Sequence, residues 1–120
     1  MYFPDMGEEC MVGTGPGLRA VGWLDIEHPY TRGSVEPAFL EALQRHVKTA
    51  WAPLVMAGPH FCQFCAEKPQ GGSGNVWIPS EHHLFIAPEL VVHYITGHGY
   101  RPPDAFIEAV LACPAQGSPE

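Results

Sequence analysis

Phe39, Leu40, Leu43 and Val47 recur at the spacing that lines one face of a helix of about 3.6 residues per turn. Pro37 suits the first helical turn, with Ser34 or Glu36 just outside it. Pro53 disfavours helical geometry in the residue before it, so the helix is expected to end short of that point. Trp51, Leu54 and Val55 then carry the chain back over the core. Leu90, Val91, Tyr94 and Ile95 predict a second helix, opened by Pro88 and ended by a left-handed Gly97. Phe106, Ile107, Val110 and Leu111 predict a last helix over Asp104 to Cys113, with those four on its buried side.

Shorter patterns predict strands. Ala20 to Leu24 places Val21 and Trp23 on one side of an extended chain, and Asp25 to Gly33 follows as a Pro- and Gly-marked loop. Asn75 to Pro79 and Leu84 to Ala87, joined by Ser80 to His83, form an expected hairpin. Residues 1–19 mix Pro, Gly and acids without periodicity and are expected to be an irregular arm, ordered only where it docks. Gly71 to Gly74 reads as a flexible polar loop, and the tail after Pro114 as frayed. The expected organisation is a single domain of α+β class with about three helices and a short antiparallel sheet. Residues 20–57 form a strand-plus-helix unit and residues 58–113 a second unit.

Composition narrows the partners. The chain has 120 residues, 46% of them hydrophobic, but 13 Pro and 13 Gly imply a large share of loop. Six Lys and Arg stand against 13 Asp and Glu, a formal charge of -7. Arg19, Arg32, Arg45, Lys48, Lys68 and Arg101 are scattered along the chain, so the basic face of a nucleic-acid binder is not expected. No apolar run of signal-peptide or membrane-spanning length is present, which predicts a cytoplasmic protein with no membrane partner. In a reducing compartment four cysteines read as metal ligands or reactive thiols rather than two disulfides.

Two of those cysteines carry the chemistry. Cys62-x2-Cys65 followed by His93-x4-His98 supplies two thiolates from a tight turn and two imidazoles from a helix, the donor set of tetrahedral zinc. Five residues on an ideal helix turn the second imidazole about 140 degrees from the first. A left-handed Gly97 would unwind the end over Thr96 to Gly99 and aim His98 back. The order of knuckle, hairpin and helix predicts a zinc-finger-like ββα unit in the C-terminal half, enlarged because Cys65 to His93 exceeds the roughly 12 to 15 residues of the usual finger. Four such ligands leave no open position, so the zinc is expected to be structural and no catalytic residue is assigned. His60, His82 or His83 would replace His98 if the helix end stayed regular. Without a metal, the same residues would be small buried thiols and a core histidine. No role is assigned to Cys10 or Cys113.

Enzyme patterns are missing: no His-Glu-x-x-His, no deaminase His-x-Glu, no Gly-x-Ser-x-Gly, no phosphate loop. The Cys pair is followed by loop rather than by the helix that would activate a redox thiol.

Val21 to Asp25 running into His28 to Gly33, and Ala87 to Ile95 running into His98 to Pro103, together with the Cys pair, resemble a group of small uncharacterised bacterial proteins over most of residues 20–111. The resemblance takes in the four proposed ligands and the Trp23 to Gly33 loop, implying that the loop matters, and it attaches no activity. The functional expectation is a zinc-stabilised protein-binding or regulatory module. Its partner or ligand surface would be aromatic and polar, around Trp23, Asp25, His28, Tyr30 and Tyr100, with Trp77 near it; the competing account of these aromatics is core packing, which is the stronger expectation for Trp23 and Trp77. The alternative is a small metalloenzyme or metal-dependent small-molecule binder using His28, His60, His82 or His83.

Overall fold

The computed structural model describes residues 2–10, 13–49, 60–65, 71–72 and 75–113. Along these the elements are β1 (Glu9–Cys10), β2 (Gly13–Thr14), β3 (Leu18–Ala20), α1 (Pro37–Thr49), β4 (His60–Phe61), β5 (Gly71–Gly72), β6 (Asn75–Pro79), β7 (Leu84–Pro88), α2 (Val91–His98) and α3 (Asp104–Ala112). Trp51, Leu54, Val55 and the tail after Pro114 lie outside the described residues.

The predicted hairpin forms within one residue of its expected bounds. β6 and β7 pair antiparallel from Asn75↔Pro88 to Pro79↔Leu84, and Ser80 closes the turn by donating its N–H to the His83 carbonyl at 2.8 Å. Period-two alternation sorts the side chains to two faces. Val76, Ile78, Phe85 and Ala87 join Phe39, Leu43, Phe106 and Val110 in the main core. Trp77, Leu84 and Ile86 point the other way, toward Ala20, Trp23 and Phe3. Helices α1 and α3 therefore cover one face, with Phe106 edge-on to both Phe39 and Phe85 at centroid separations of 6.3 and 5.7 Å. The N-terminal arm covers the other.

Four expectations about the sheet and helices need correction. The sheet is mixed and three-stranded: β3 lies parallel to β7, Leu18↔Leu84 to Ala20↔Ile86. The expected strand over Ala20 to Leu24 is thus earlier and shorter, because Gly22 takes a left-handed φ of 81° and turns the chain. A Cβ there would lie 2.9 Å from Val91 Cγ2, so glycine meets both the conformation and the close approach. Beyond the turn, Trp23 folds back and its Nε1–H donates to the Ile86 carbonyl at 2.8 Å. Gly71–Gly72 pairs with His60–Phe61 as a two-stranded ladder where a flexible loop was expected. In α3 the buried face is Phe106, Ala109 and Val110, and Leu111 is 52% exposed, since it stands about 100° round from Val110.

The arm is more ordered than its sequence predicts. β1 and β2 form a short hairpin, the Met6 N–H donates to the Ala20 carbonyl at 2.7 Å, and that of Ala20 to the Gly7 carbonyl at 3.0 Å. Asp5 fastens it: Oδ1 accepts from the Gly22 N–H at 3.0 Å and Oδ2 from the Tyr100 hydroxyl at 2.7 Å. Burial raises the Asp5 pKa, and these two hydrogen bonds work in the opposite direction. No helix among the described residues is long and apolar enough to cross a membrane.

Candidate metal centre

The thiolate turn grows from the β4–β5 ladder. Cys62 follows β4 and is fully buried, Gln63 and Phe64 make the turn, and Cys65 is half-buried. The imidazoles come from α2, His93 from its first turn and His98 from its last residue. One donor atom from each of Cys62, Cys65, His93 and His98 lies within 4.8 Å of the other three, close enough to hold a metal ion, and neither cysteine is in a disulfide. Cys62 Sγ is 3.4 Å from His98 Nε2, and Cys65 Sγ is 3.3 Å from His93 Nε2 and 3.6 Å from His98 Nε2.

The two histidines meet by a different device from the one expected. His98 remains helical, and the left-handed residue is Gly99, at φ 69°, not Gly97. The Gly99 N–H donates to the Tyr94 carbonyl five residues back, and Tyr100 N–H donates to the same oxygen at 3.2 Å. A turn closed five residues back is wider than an α-turn, so a five-residue step comes near a full revolution and His98 returns to the side of His93. Their ring centroids are 4.9 Å apart. Gly97 contributes space: a Cβ there would stand 3.4 Å from His93 Cε1.

The hairpin-then-helix order of a finger is present in β6, β7 and α2, but the thiolate turn belongs to the separate β4–β5 ladder and β6–β7 to the three-stranded sheet. His82 and His83 sit in the hairpin turn outside the cluster, with the His82 ring 3.9 Å from the Glu81 carboxylate. The side chains of His60 and Cys10 lie outside what the structure describes, and Cys113 is half-buried.

Burial is the main influence on how this cluster titrates. Burial pushes the Cys62 thiol up, against the lowering effect of the Phe64 N–H. Burial, and then neighbouring His98, push the His93 pKa down, favouring the neutral imidazole that coordination requires. Burial first, then the charges of Cys62, Asp25 and Cys65, raise the Tyr94 hydroxyl beside them.

A residue missed in the sequence ties the cluster to the Asp25–Gly33 loop. The Phe64 ring packs on Tyr30, Tyr94 and His98 at centroid separations of 5.4, 6.1 and 5.2 Å. An aromatic between the two cysteines was the available signal. The loop then bonds to both halves of the site: Ile26 N–H to Gln63 Oε1 at 3.0 Å, and the Tyr30 hydroxyl to the His98 carbonyl at 2.8 Å. Gly33 N–H donates to the Gly99 carbonyl and Arg101 N–H to the Thr31 carbonyl, at 3.1 and 2.9 Å.

Of the expected surface residues, Trp23 and Tyr100 are fully buried and form part of the interior, a correction that follows from their bonds to Ile86 and Asp5. Trp77 is half-buried on the arm-covered face of the sheet. Asp25, His28 and Tyr30 do reach the surface. His28 Nδ1 is 2.6 Å from Asp25 Oδ1, and its ring stacks on Tyr2 at 3.9 Å and 7°. Cavities of about 340 and 330 Å³ flank Pro29 and Tyr30, the first reaching Tyr2 and Asp5, the second His28 and Phe64.

These features define a class: a small α+β protein with a Cys2His2 cluster at the junction of a thiolate turn and a widened helix end. The chain belongs to the family described as a domain of unknown function, DUF7919, whose model matches residues 1–111. No curated protein and no solved structure shows significant similarity to it.

Proposed function

We propose that this protein is a structural-zinc module that presents the Asp25–Gly33 loop to a protein partner. The observation that carries the metal is the set of donor separations. Donors held at about 2.0 to 2.3 Å from a tetrahedral zinc lie about 3.5 Å from one another, and the three separations given above are 3.3, 3.4 and 3.6 Å. Two ionised thiols and two neutral imidazoles balance the dication and fill its coordination, which suits a structural ion. Zinc also supplies the positive charge that the raised Cys62 thiol lacks.

The loop is supported as the working surface by its bonds to both the knuckle and the helix end, with Ile26 left 62% exposed between them. Metal analysis of the purified protein tests the first half of this reading: stoichiometric zinc is expected, lost together with folding of the corner on chelation. Metal removal that leaves residues 60–65 and 91–99 ordered would sink it. Recovery of a partner that binds wild type but not an Ile26→Asp, His28→Ala chain tests the second half.

A second reading, small-molecule binding, is favoured by the Asp25–His28 contact, which orients the imidazole beside the cavity that Phe64 also lines. Its test is whether small ligands perturb the His28 and Phe64 ring resonances in a partner-free sample.

A further inference from the structure

Resting on the zinc reading above, we propose that Cys65 and Cys62 are the reaction site for a hydroperoxide, which joins them in a disulfide, expels the metal and frees the Asp25–Gly33 loop. Three observations carry it. The two sulfurs differ in access: Cys62 is fully buried whereas Cys65 is half-buried, so an oxidant meets Cys65 first. The second thiol is already close, two residues away in the same turn, with both sulfurs inside the 4.8 Å span of the cluster. Closing the bond therefore requires movement only within the knuckle. And the knuckle carries the loop, because Phe64 and Gln63, which contact Tyr30 and Ile26, are the two residues between the cysteines.

The chemistry balances with hydrogen peroxide as the co-reactant. The Cys65 thiolate attacks one peroxide oxygen, the O–O bond breaks, an S–O bond forms, and the departing hydroxide takes a proton to become water. The Cys62 thiolate then attacks the Cys65 sulfur. The S–S bond forms, the S–O bond breaks, and the second hydroxide leaves as water with a second proton. Each sulfur loses one electron and the peroxide gains two. Zinc is not redox-active and leaves as the dication, because two of its four ligands no longer carry charge. With the metal gone His93 and His98 lose their common partner, and the turn holding Phe64 against Tyr30 and His98 is remade around the disulfide.

The test uses the full chain loaded with zinc, as wild type and as a Cys10→Ser, Cys113→Ser chain that retains only the two ligand thiols. Hydrogen peroxide is added in stoichiometric steps, with zinc read by a chromogenic chelator, covalent state by mass spectrometry with peptide mapping, and loop order by the Tyr30 and Phe64 ring resonances. The expected result in both chains is one zinc released per peroxide consumed, a mass lower by two hydrogens, a Cys62–Cys65 bridge, and loss of the Tyr30–Phe64 contact, all reversed by a dithiol and added zinc. Zinc retained against a large excess of peroxide overturns the proposal and leaves the zinc reading standing. So does zinc release with Cys65 driven to sulfinic acid and no bridge, or with the loop contact unchanged. A chain that takes up no zinc before peroxide is added overturns both.

Discussion

The helix-covered face of the sheet and the corner at the end of α2 are closed by different forces. On the sheet, Phe39, Leu43, Phe85, Phe106 and Val110 are fully buried, each contributing about 1.5 to 3 kcal/mol by leaving water. That closure is spread over many side chains, so any one loss is local. At the corner, three of the four ligands remain partly exposed, and the loop is attached mainly by backbone and hydroxyl hydrogen bonds worth about 1 kcal/mol each. On the proposed zinc reading, cohesion there is concentrated at the metal, and the corner should fail as a unit.

The largest effect should come from breaking that point. Cys62→Ala, or zinc removal by a chelator, is expected to cost on the order of 5 to 10 kcal/mol at the corner, given the 10 to 16 kcal/mol that structural zinc supplies to small sites. Amide exchange should rise across residues 60–65 and 91–99 while β6 and β7 stay protected; equal loss in the hairpin would erase the distinction between the two regions. Phe106→Ala should cost about 3 to 5 kcal/mol in a thermal or urea melt, with zinc stoichiometry unchanged. A substituted chain that also lost zinc would show the two regions to be one cooperative unit.

Smaller changes sharpen the comparison. Gly99→Ala forces a side chain into the left-handed conformation and should cost about 1 to 2 kcal/mol, together with weaker zinc retention in a chelator competition. Tyr30→Phe removes the hydroxyl that bonds the His98 carbonyl and should cost about 1 kcal/mol, felt as faster exchange in the loop and not in the sheet. The smallest effect belongs to His46, buried in α1 against α3. Burial foremost lowers its pKa, so the unfolded chain binds the proton more readily and stability falls as pH drops below the ordinary imidazole range near 6.5. His46→Gln should flatten part of that acid-side slope without altering zinc content, as read by paired melts of the two chains across pH 5 to 8.

What was legible in the sequence follows the range of the forces. The helix over Phe39 to Val47 and the hairpin at Asn75 to Ala87 are specified by residues a few positions apart, and both appear close to their predicted bounds. The four proposed ligands could be named because thiolate and imidazole spacing is a chemical signature independent of the fold, and they come together. β3 was misplaced because its partner β7 lies more than 60 positions away and three residues carry no period of their own. The arm reads as irregular because what fastens it, backbone bonds to Ala20 and Trp23 and the Asp5 carboxylate, has no sequence pattern. Gly97 and Gly99 are both glycines at the right place for a helix terminator, and only the bond from Gly99 back to Tyr94 separates them. Tyr100 lies in a loop, where an aromatic gives no sign of which way it folds, whereas Trp23, in an expected strand, reads more readily as core than as surface, and both are interior.

The Asp5 link to Tyr100 joins residues 95 positions apart. During synthesis Asp5 precedes its hydroxyl donor by 95 residues. Until Tyr100 is made, Asp5 has the Gly22 N–H as its bonding partner, so the link to Tyr100 forms late and adds a long-range tie to an arm that backbone bonds already join to Ala20 and Trp23.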